Sequence, residues 1–405
     1  MDREPIPGGA MRPHHRTLNR QQVHRSASRF LQEHLPQHDY KRSVTIKMLW
    51  AVLLVTAAET WSLHATCQWL GGLPAEETVR KAVYASLPDY AELQRQLNRA
   101  LAGRIPKSLR RRRQRLAIDL TLIPYHGEPF RDRTEVYRSQ AKSGTSHFHA
   151  YASAYVVLRG ERFTVALLPV PRGANMADMV KALVRQSCSI GVKPALVLLD
   201  RGFYAVDVIR YLHRARLPFL MPVKLTGRKA DHPKGASGTR VFAAVKRSGW
   251  FKHTVTGKAG TARVEICVAC RNYRGQWKRH GRQALIYACW GVTGRSCDWV
   301  RQTYRSRFGI ESSYRQMNQA RGRTSSRRPD LRLLYVGLSL VLRNEWVWLH
   351  WEVLSTPRRG GRLIRQERLR LRRLLRWLQE SIEEEFGTVS ETTTEREPCS
   401  SFALE

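Results

Sequence analysis

Residues 195–204 read ALVLLDRGFY, and the change of character inside them decides the fold. The run ALVLL is too short for a self-standing helix but long enough for a buried strand, and Asp200 ends it. On its N-terminal side, NMADMVKALVRQSCSIGV (175–192) spaces its apolar residues as an amphipathic helix and ends at Gly191. On its C-terminal side, AVDVIRYLHRAR (205–216) is a second helix and PFLMPV (218–223) a second strand. Helix alternating with apolar strand implies parallel strands joined by crossovers. Upstream lie three more strands: LAIDLTLI (116–123), then HAYASAYVVLR (149–159) and RFTVALLPV (162–170), the latter two joined by a turn at Gly160-Glu161. Strands first, then alternation, predict a mixed α/β sheet with acids at strand ends.

The rest of the chain divides around that sheet. Residues 1–40, rich in Pro, His and Arg, predict a flexible basic arm. Residues 41–106 are helical. SLHATCQWL (62–70), GGLP (71–74) and AEETVRKAVYASL (75–87) have the punctuation of a helix-turn-helix, in which Arg80 and Lys81 would approach phosphates or base edges. A plain helical hairpin fits the same pattern. KSLRRRRQR (107–115) is a basic connector, either solvated or tracking a DNA backbone. The sheet of residues 116–221 resumes its helices at 297–355, an order that fits a ribonuclease-H-like domain. Between them, residues 222–296 hold short runs such as TRVFAAVKR, GWFKHTVTG, ARVEICVACR and ALIYACWGV, a β-rich insertion. Residues 357–386 predict one charged helix, and 387–405 a disordered tail.

Composition narrows the partner. Among 405 residues, 70 are Lys or Arg and 33 Asp or Glu, a formal net charge of +37. A surplus of that size favours phosphate backbones, which bind basic proteins through counterion release. MLWAVLLVTAA (48–58) is too short to span a bilayer, and residues 331–351 are broken by Arg332, Arg343, Asn344 and Glu345, so both predict buried helices. With no signal-peptide core at the N-terminus, the expected location is the cytoplasm, at the nucleoid. Seven cysteines do not form a disulfide framework, and Cys267-x-x-Cys270 lies in a strand, which favours buried thiols over zinc. No Gly-x-x-x-x-Gly-Lys-[Ser/Thr] loop is present, so no nucleotide cofactor is expected. The Gly-x-Ser-x-Gly elbow of a serine hydrolase is also missing.

Against this basic background three acids stand out. Asp119 interrupts LAIDLTLIPYHG (116–127), Asp200 ends ALVLLD, and Glu311 lies in YRSRFGIESSYRQMNQAR (304–321). Phosphoryl transfer on two divalent ions needs carboxylates that flank both ions, and Mg²⁺ suits such hard ligands. Each acid also has a structural alternative. Asp200 could cap the next helix, and Glu311 could pair with Arg307 or Arg315, both four residues away. Tyr304, Arg307, Glu311 and Asn318 would share one face of a continuous helix, with Arg315 at its border.

Taken together, IDLTLIPYHG (118–127), LLDRGFYAVDVIRYL (198–212) and GRTSSRRPDLRLLYVGLSLVLRNEW (322–346) resemble the DDE transposases of prokaryotic insertion sequences. The likeness is to the branch with a Tyr–Arg–Glu–Lys signature, of which Tyr304, Arg307 and Glu311 are in register. It covers about residues 41–352. The resemblance implies a ribonuclease-H-like catalytic domain with Asp119, Asp200 and Glu311 as catalytic metal ligands for Mg²⁺, or Mn²⁺ in its place. It implies binding to terminal inverted repeats, cleavage at element ends and joining to target DNA, carried out by a homodimer on DNA with no membrane partner. Tyr304 and Arg307 would contact the backbone near the scissile phosphate. One position departs: Asn318 stands where the signature has Lys, and Arg315 or Arg321 could take its place. A nuclease without strand transfer, or a degenerate DNA-binding relic, are the alternatives. In the insertion, Trp250, Trp277 and Trp290 could stack on a flipped base or simply pack a core. His147 and His149 alternate on one strand face.

Overall fold

The computed structural model describes residues 17–35, 37–158, 161–275, 280–358 and 361–391. It opens with α1 (Arg20–His34), α2 (Ile46–Glu59), α3 (Leu63–Trp69), α4 (Glu76–Ser86), α5 (Tyr90–Gly103) and the short α6 (Lys107–Arg110). The flexible arm expected at 1–40 is therefore partly wrong: residues 1–16 lie outside the described residues, but 20–34 form a helix. Its start is written in the sequence as a capping box. The Asn19 side chain accepts from the Gln22 backbone N–H, and the Gln22 side chain accepts from that of Asn19. Val23, Ala27, Phe30 and Leu31 then bury one stripe. α2 is buried almost all round, against α3, α4 and helices from the C-terminal end. No single described helix is long and apolar enough to cross a membrane, and α2 and α3 meet at a bend of 108°.

Next come β1 (Gln114–Pro124), β2 (Tyr137–Lys142), β3 (Thr145–Val157), β4 (Arg162–Val170), α7 (Met176–Ser189), β5 (Pro194–Leu199), α8 (Val206–Arg214) and β6 (Phe219–Pro222). β3 lies antiparallel to β1 and β4, while β1, β5 and β6 run parallel. This is the ribonuclease-H-like order, with β1 at its centre. β7 (Gly249–Gly257), β8 (Gly260–Arg274) and β9 (His280–Trp290) then prolong the same sheet, because β9 pairs antiparallel with β6. The β-rich segment thus joins the main sheet to give nine strands. Its run TRVFAAVKR is not a strand; residues Gly238–Ala244 form a 3-10 helix.

The chain ends with α9 (Cys297–Arg305), a 3-10 turn (Ser306–Phe308), α10 (Gly309–Asn318), α11 (Pro329–Leu349), a π-helical turn (His350–Leu354), the hairpin strands β10 (Thr356–Arg358) and β11 (Gly361–Leu363), and α12 (Leu371–Phe386). Two expectations need correction here. The signature segment is not one continuous helix, since the 3-10 turn separates α9 from α10. The charged helix expected at 357–386 begins only at Leu371, because Pro357 and Gly360-Gly361 favour a hairpin before it. Leu371, Leu374, Leu375, Leu378 and Ile382 are buried, chiefly against α2 and α1, and the acidic end pairs with Arg20 and Lys47.

Two asparagines seal an open sheet edge. Among the described residues the outer edge of β4 has no strand partner, yet Asn98 of α5 exchanges two hydrogen bonds with Leu167 (3.0 and 2.7 Å). Asn344 of α11 does the same with Thr164 (2.9 and 2.7 Å) and also donates to the Leu101 carbonyl. An amide side chain offers both donor and acceptor, so each substitutes for one residue of a missing strand.

Candidate active site

Parallel pairing of β1 with β5 aligns Ile118 with Leu199, so the next residue on each strand, Asp119 and Asp200, stand side by side. Asp119 shares its sheet face with Ser153, its partner across β3, and accepts a hydrogen bond from the Leu120 N–H at 2.9 Å. Asp200 occupies the cap position of the 3-10 turn that follows β5, but its side chain caps nothing. The capping alternative is thereby removed. Its carboxylate is half exposed and lies 2.9 Å from Nη2 of Arg307, while Asp119 Oδ1 lies 3.6 Å from the same nitrogen. One guanidinium therefore faces both acids.

Arg307 reaches them because the turn between α9 and α10 swings it onto the sheet. It is 4 % exposed and lies over the Tyr304 ring at 5.6 Å. Tyr304 is equally buried and donates its hydroxyl to the Leu199 carbonyl at 3.2 Å, fixing the residue before Asp200. Burial pushes the Tyr304 phenol well above its usual range; Arg307 opposes that, and Asp200 reinforces it. These two residues hold the acids from inside the fold. Arg307 is thus engaged with the two aspartates, and Arg315, exposed, has its Nη2 3.5 Å from the Ser312 hydroxyl.

Position 311 lies in α10 one turn before Tyr314; the Glu311 side chain lies outside the described residues. The helix that carries it is firmly located. The Tyr314 hydroxyl bonds Ser153 Oγ at 2.8 Å, directly across the ladder from Asp119, and its ring meets Tyr155 edge-on at 5.9 Å. Arg343, fully buried in α11, donates to Gln316 Oε1 (2.9 Å) and to the Arg162 carbonyl (2.8 Å). Sequence reasoning missed Ser153, Tyr314 and Arg343 as positioning groups. A signal existed for Arg343: a lone arginine in the apolar run LSLVLRNEW must find partners inside the fold.

The other candidates are dispersed. Asn318 is exposed and accepts from Arg321 Nε at 3.2 Å, and Arg321 is half-buried. Arg80 pairs with Glu77 and Glu76 on its own helix, and Lys81 with Glu77 at 3.4 Å. His149 is buried beside Tyr125, with a pKa lowered to about 4 by burial and by the nearby Arg332. Trp250 donates to the Arg295 carbonyl at 3.1 Å, Trp290 packs by His213, and Trp277 lies outside the described residues. Cys267 and Cys270, three apart on β8, fall on opposite faces and cannot share an ion.

The donor set fits a hard divalent cation at two ligands: adjacent carboxylates, one open to solvent, already directed at one positive group. Among the described residues no three acid, His or Cys side chains form a metal cluster.

The sequence matches the family described as "Transposase DDE domain" over residues 110–344, more than half the chain and all of the elements just described from β1 to α10. No curated protein matches the chain. Among solved structures, the fold is similar to a piggyBac transposase, seen by cryo-EM in a synaptic complex with hairpin DNA. The two are 11% identical over 90% of this chain and 76% of that one, with a TM-score of 0.49.

Proposed function

This chain belongs to the family of DDE-domain transposases, and from that membership we propose that it cuts the ends of a mobile element at terminal inverted repeats and joins them to target DNA. The observation that supports the chemistry is the pairing of Asp119 and Asp200 on neighbouring strands before one buried guanidinium. Asp119 and Asp200, with Glu311 from α10, would hold divalent ions, Mg²⁺ or Mn²⁺, which supply activation of the attacking oxygen and stabilisation of the leaving oxygen.

The chain's own residues prepare that reaction. Tyr304 fixes the end of β5 through the Leu199 carbonyl and so sets where the Asp200 carboxylate sits. Tyr314 and Arg343 clamp α10 over β1 and β3, which sets the position from which Glu311 approaches. Arg307 supplies a positive charge beside the acids, where a phosphate oxygen would be drawn against it. Asn318, Arg315 and Arg321 would lie along the DNA backbone, as would Arg80 and Lys81 in α4, and two copies of the chain would hold two element ends.

Joining separates this reading from a nuclease that only hydrolyses. Purified protein is given a pre-cut terminal-repeat duplex with a free 3′-hydroxyl, a supercoiled target and Mg²⁺. Covalent end–target products are expected. Hydrolysis of the substrate without such products would contradict strand transfer and leave the nuclease.

A further inference from the structure

The stretch 357–376 contains nine arginines, no lysine and one acid, Glu367. Arg362, Arg365, Arg368, Arg370 and Arg373 are exposed. Among the described residues, Arg362 and Arg368 bond neutral oxygens, the Ser355 hydroxyl and the Leu354 carbonyl, at 3.0 Å each. Arg365, Arg370 and Arg373 have no acidic partner among the described residues. The acids of the same helix have other partners: Glu380 pairs with Arg376 at 3.0 Å and with Arg20, Glu384 with Arg20, Glu385 with Lys47, and Glu383 accepts from the Trp69 indole N–H. α12 thus keeps its acidic end against the body of the protein and leaves its arginine-rich start in solvent.

The backbone beneath the strip is fixed. The Leu369 carbonyl accepts from the Trp346 indole N–H and lies against His350 Nε2, both at 2.7 Å. Gln366 donates to the buried Glu161 at 2.7 Å. Glu161 precedes Arg162, whose Nη2 is 3.4 Å from the Ser306 carbonyl, the residue before Arg307. The strip is therefore anchored two side chains away from the junction that presents Arg307 to the acids. The first turn of α12 also has no acid, so Arg370 and Arg373 repel one another and the helix dipole until an anion arrives.

We propose that the exposed arginines of 362–373 form a second contact surface for double-stranded DNA, gripping the phosphate backbone of a duplex that continues from the active site. This rests on the transposase reading and deepens it. Arginine suits the task because its planar fork bonds phosphate oxygens bidentately and stays charged. Arginines carried on an anchored backbone match the regular spacing of a duplex backbone better than they match a fluid lipid surface.

The test measures binding of the full chain to an arbitrary duplex of about 30 base pairs across a salt series, since each phosphate contact contributes about 0.9 to the slope of log K against log salt. The variants are R365Q/R370Q/R373Q and R365K/R370K/R373K. The glutamine triple is expected to bind more weakly at 0.15 M salt, with its slope reduced by about 2 to 3, and the lysine triple to recover most of the slope. An unchanged slope in the glutamine triple, at an unchanged melting temperature, would overturn the proposal. So would loss of binding to phosphatidylserine vesicles with duplex binding intact. If the glutamine triple melts early, the lysine triple decides: a wild-type slope supports charge contact, and a slope reduced as far as in the glutamine triple contradicts it. Failure of the wild-type chain to bind any duplex would count against the transposase reading itself, whereas wild-type binding with no effect of the triple counts against the strip alone.

Discussion

Arg307 stands where a cation is wanted. With one nitrogen near both Asp119 and Asp200, it offsets the repulsion of two acids that sheet register forces together. Arg307→Gln is therefore expected to lose roughly 1–2 kcal/mol in EDTA, less than a fully buried pair because Asp200 is half exposed. Mg²⁺ should restore more melting temperature to this variant than it adds to the wild type. Equal shifts in both would contradict an ion sharing these carboxylates with Arg307. His149 makes a second residue-level prediction. Its folded pKa of about 4 lies below the usual value, so the unfolded chain takes up the proton first as pH falls. Its contribution is intact above about pH 6.5 and is lost on the way down to about 4, roughly 3 kcal/mol in all. His149→Phe should flatten the fall in melting temperature between pH 7 and 4.5; an unaltered pH profile would contradict the assignment. Asp119 and Asp200 stood out in the sequence as acids on apolar strands, whereas a site role for Arg307 was favoured only through the family resemblance. That Arg307 reaches the two aspartates could not be read, because that pairing is set by a turn and by strands more than 100 residues away.

At the level of elements, close approach of helices is the sensitive point. A Cβ at Gly337 in α11 would collide with the Leu97 side chain of α5, so Gly337→Val is expected to cost about 1–3 kcal/mol by overpacking. A melting temperature equal to wild type would mean that α5 and α11 part easily. Tyr314→Phe should destabilise by about 1 kcal/mol through loss of the Ser153 bond. It should also slow DNA cleavage more than it weakens DNA binding, since α10 loses its tie beside Asp119. Strands and amphipathic helices were readable from periodicity. α1 was missed although its Asn19–Gln22 capping box is present, because the Pro- and Arg-rich residues around it dominate the composition. The break before α12 was foreshadowed by Pro357 and Gly360-Gly361. That β9 joins β6, and so makes the β-rich segment part of the main sheet, depends on long-range pairing for which no local pattern exists.

Over the whole molecule, the first and last described helices close on each other: α12 lies on α2 and α1, and its glutamates meet Arg20 and Lys47. Truncation after residue 370 would uncover the apolar surface of α2, and the shortened chain is expected to aggregate or melt without cooperativity. A cooperative melt like that of the full chain would contradict this packing. The positive surplus read from composition is the most global feature, and the fold leaves much of it on the surface while directing two acids to one place on the sheet. We propose this place as a metal-dependent DNA-cutting centre. The most direct measurement is cleavage of a duplex carrying the element's terminal repeat, with Mg²⁺ or EDTA, by the wild type and by Asp200→Asn. Cleavage at the repeat boundary is expected only with Mg²⁺, reduced on the order of 10³-fold in the variant while duplex binding persists. Cleavage that survives Asp200→Asn or proceeds in EDTA would contradict it.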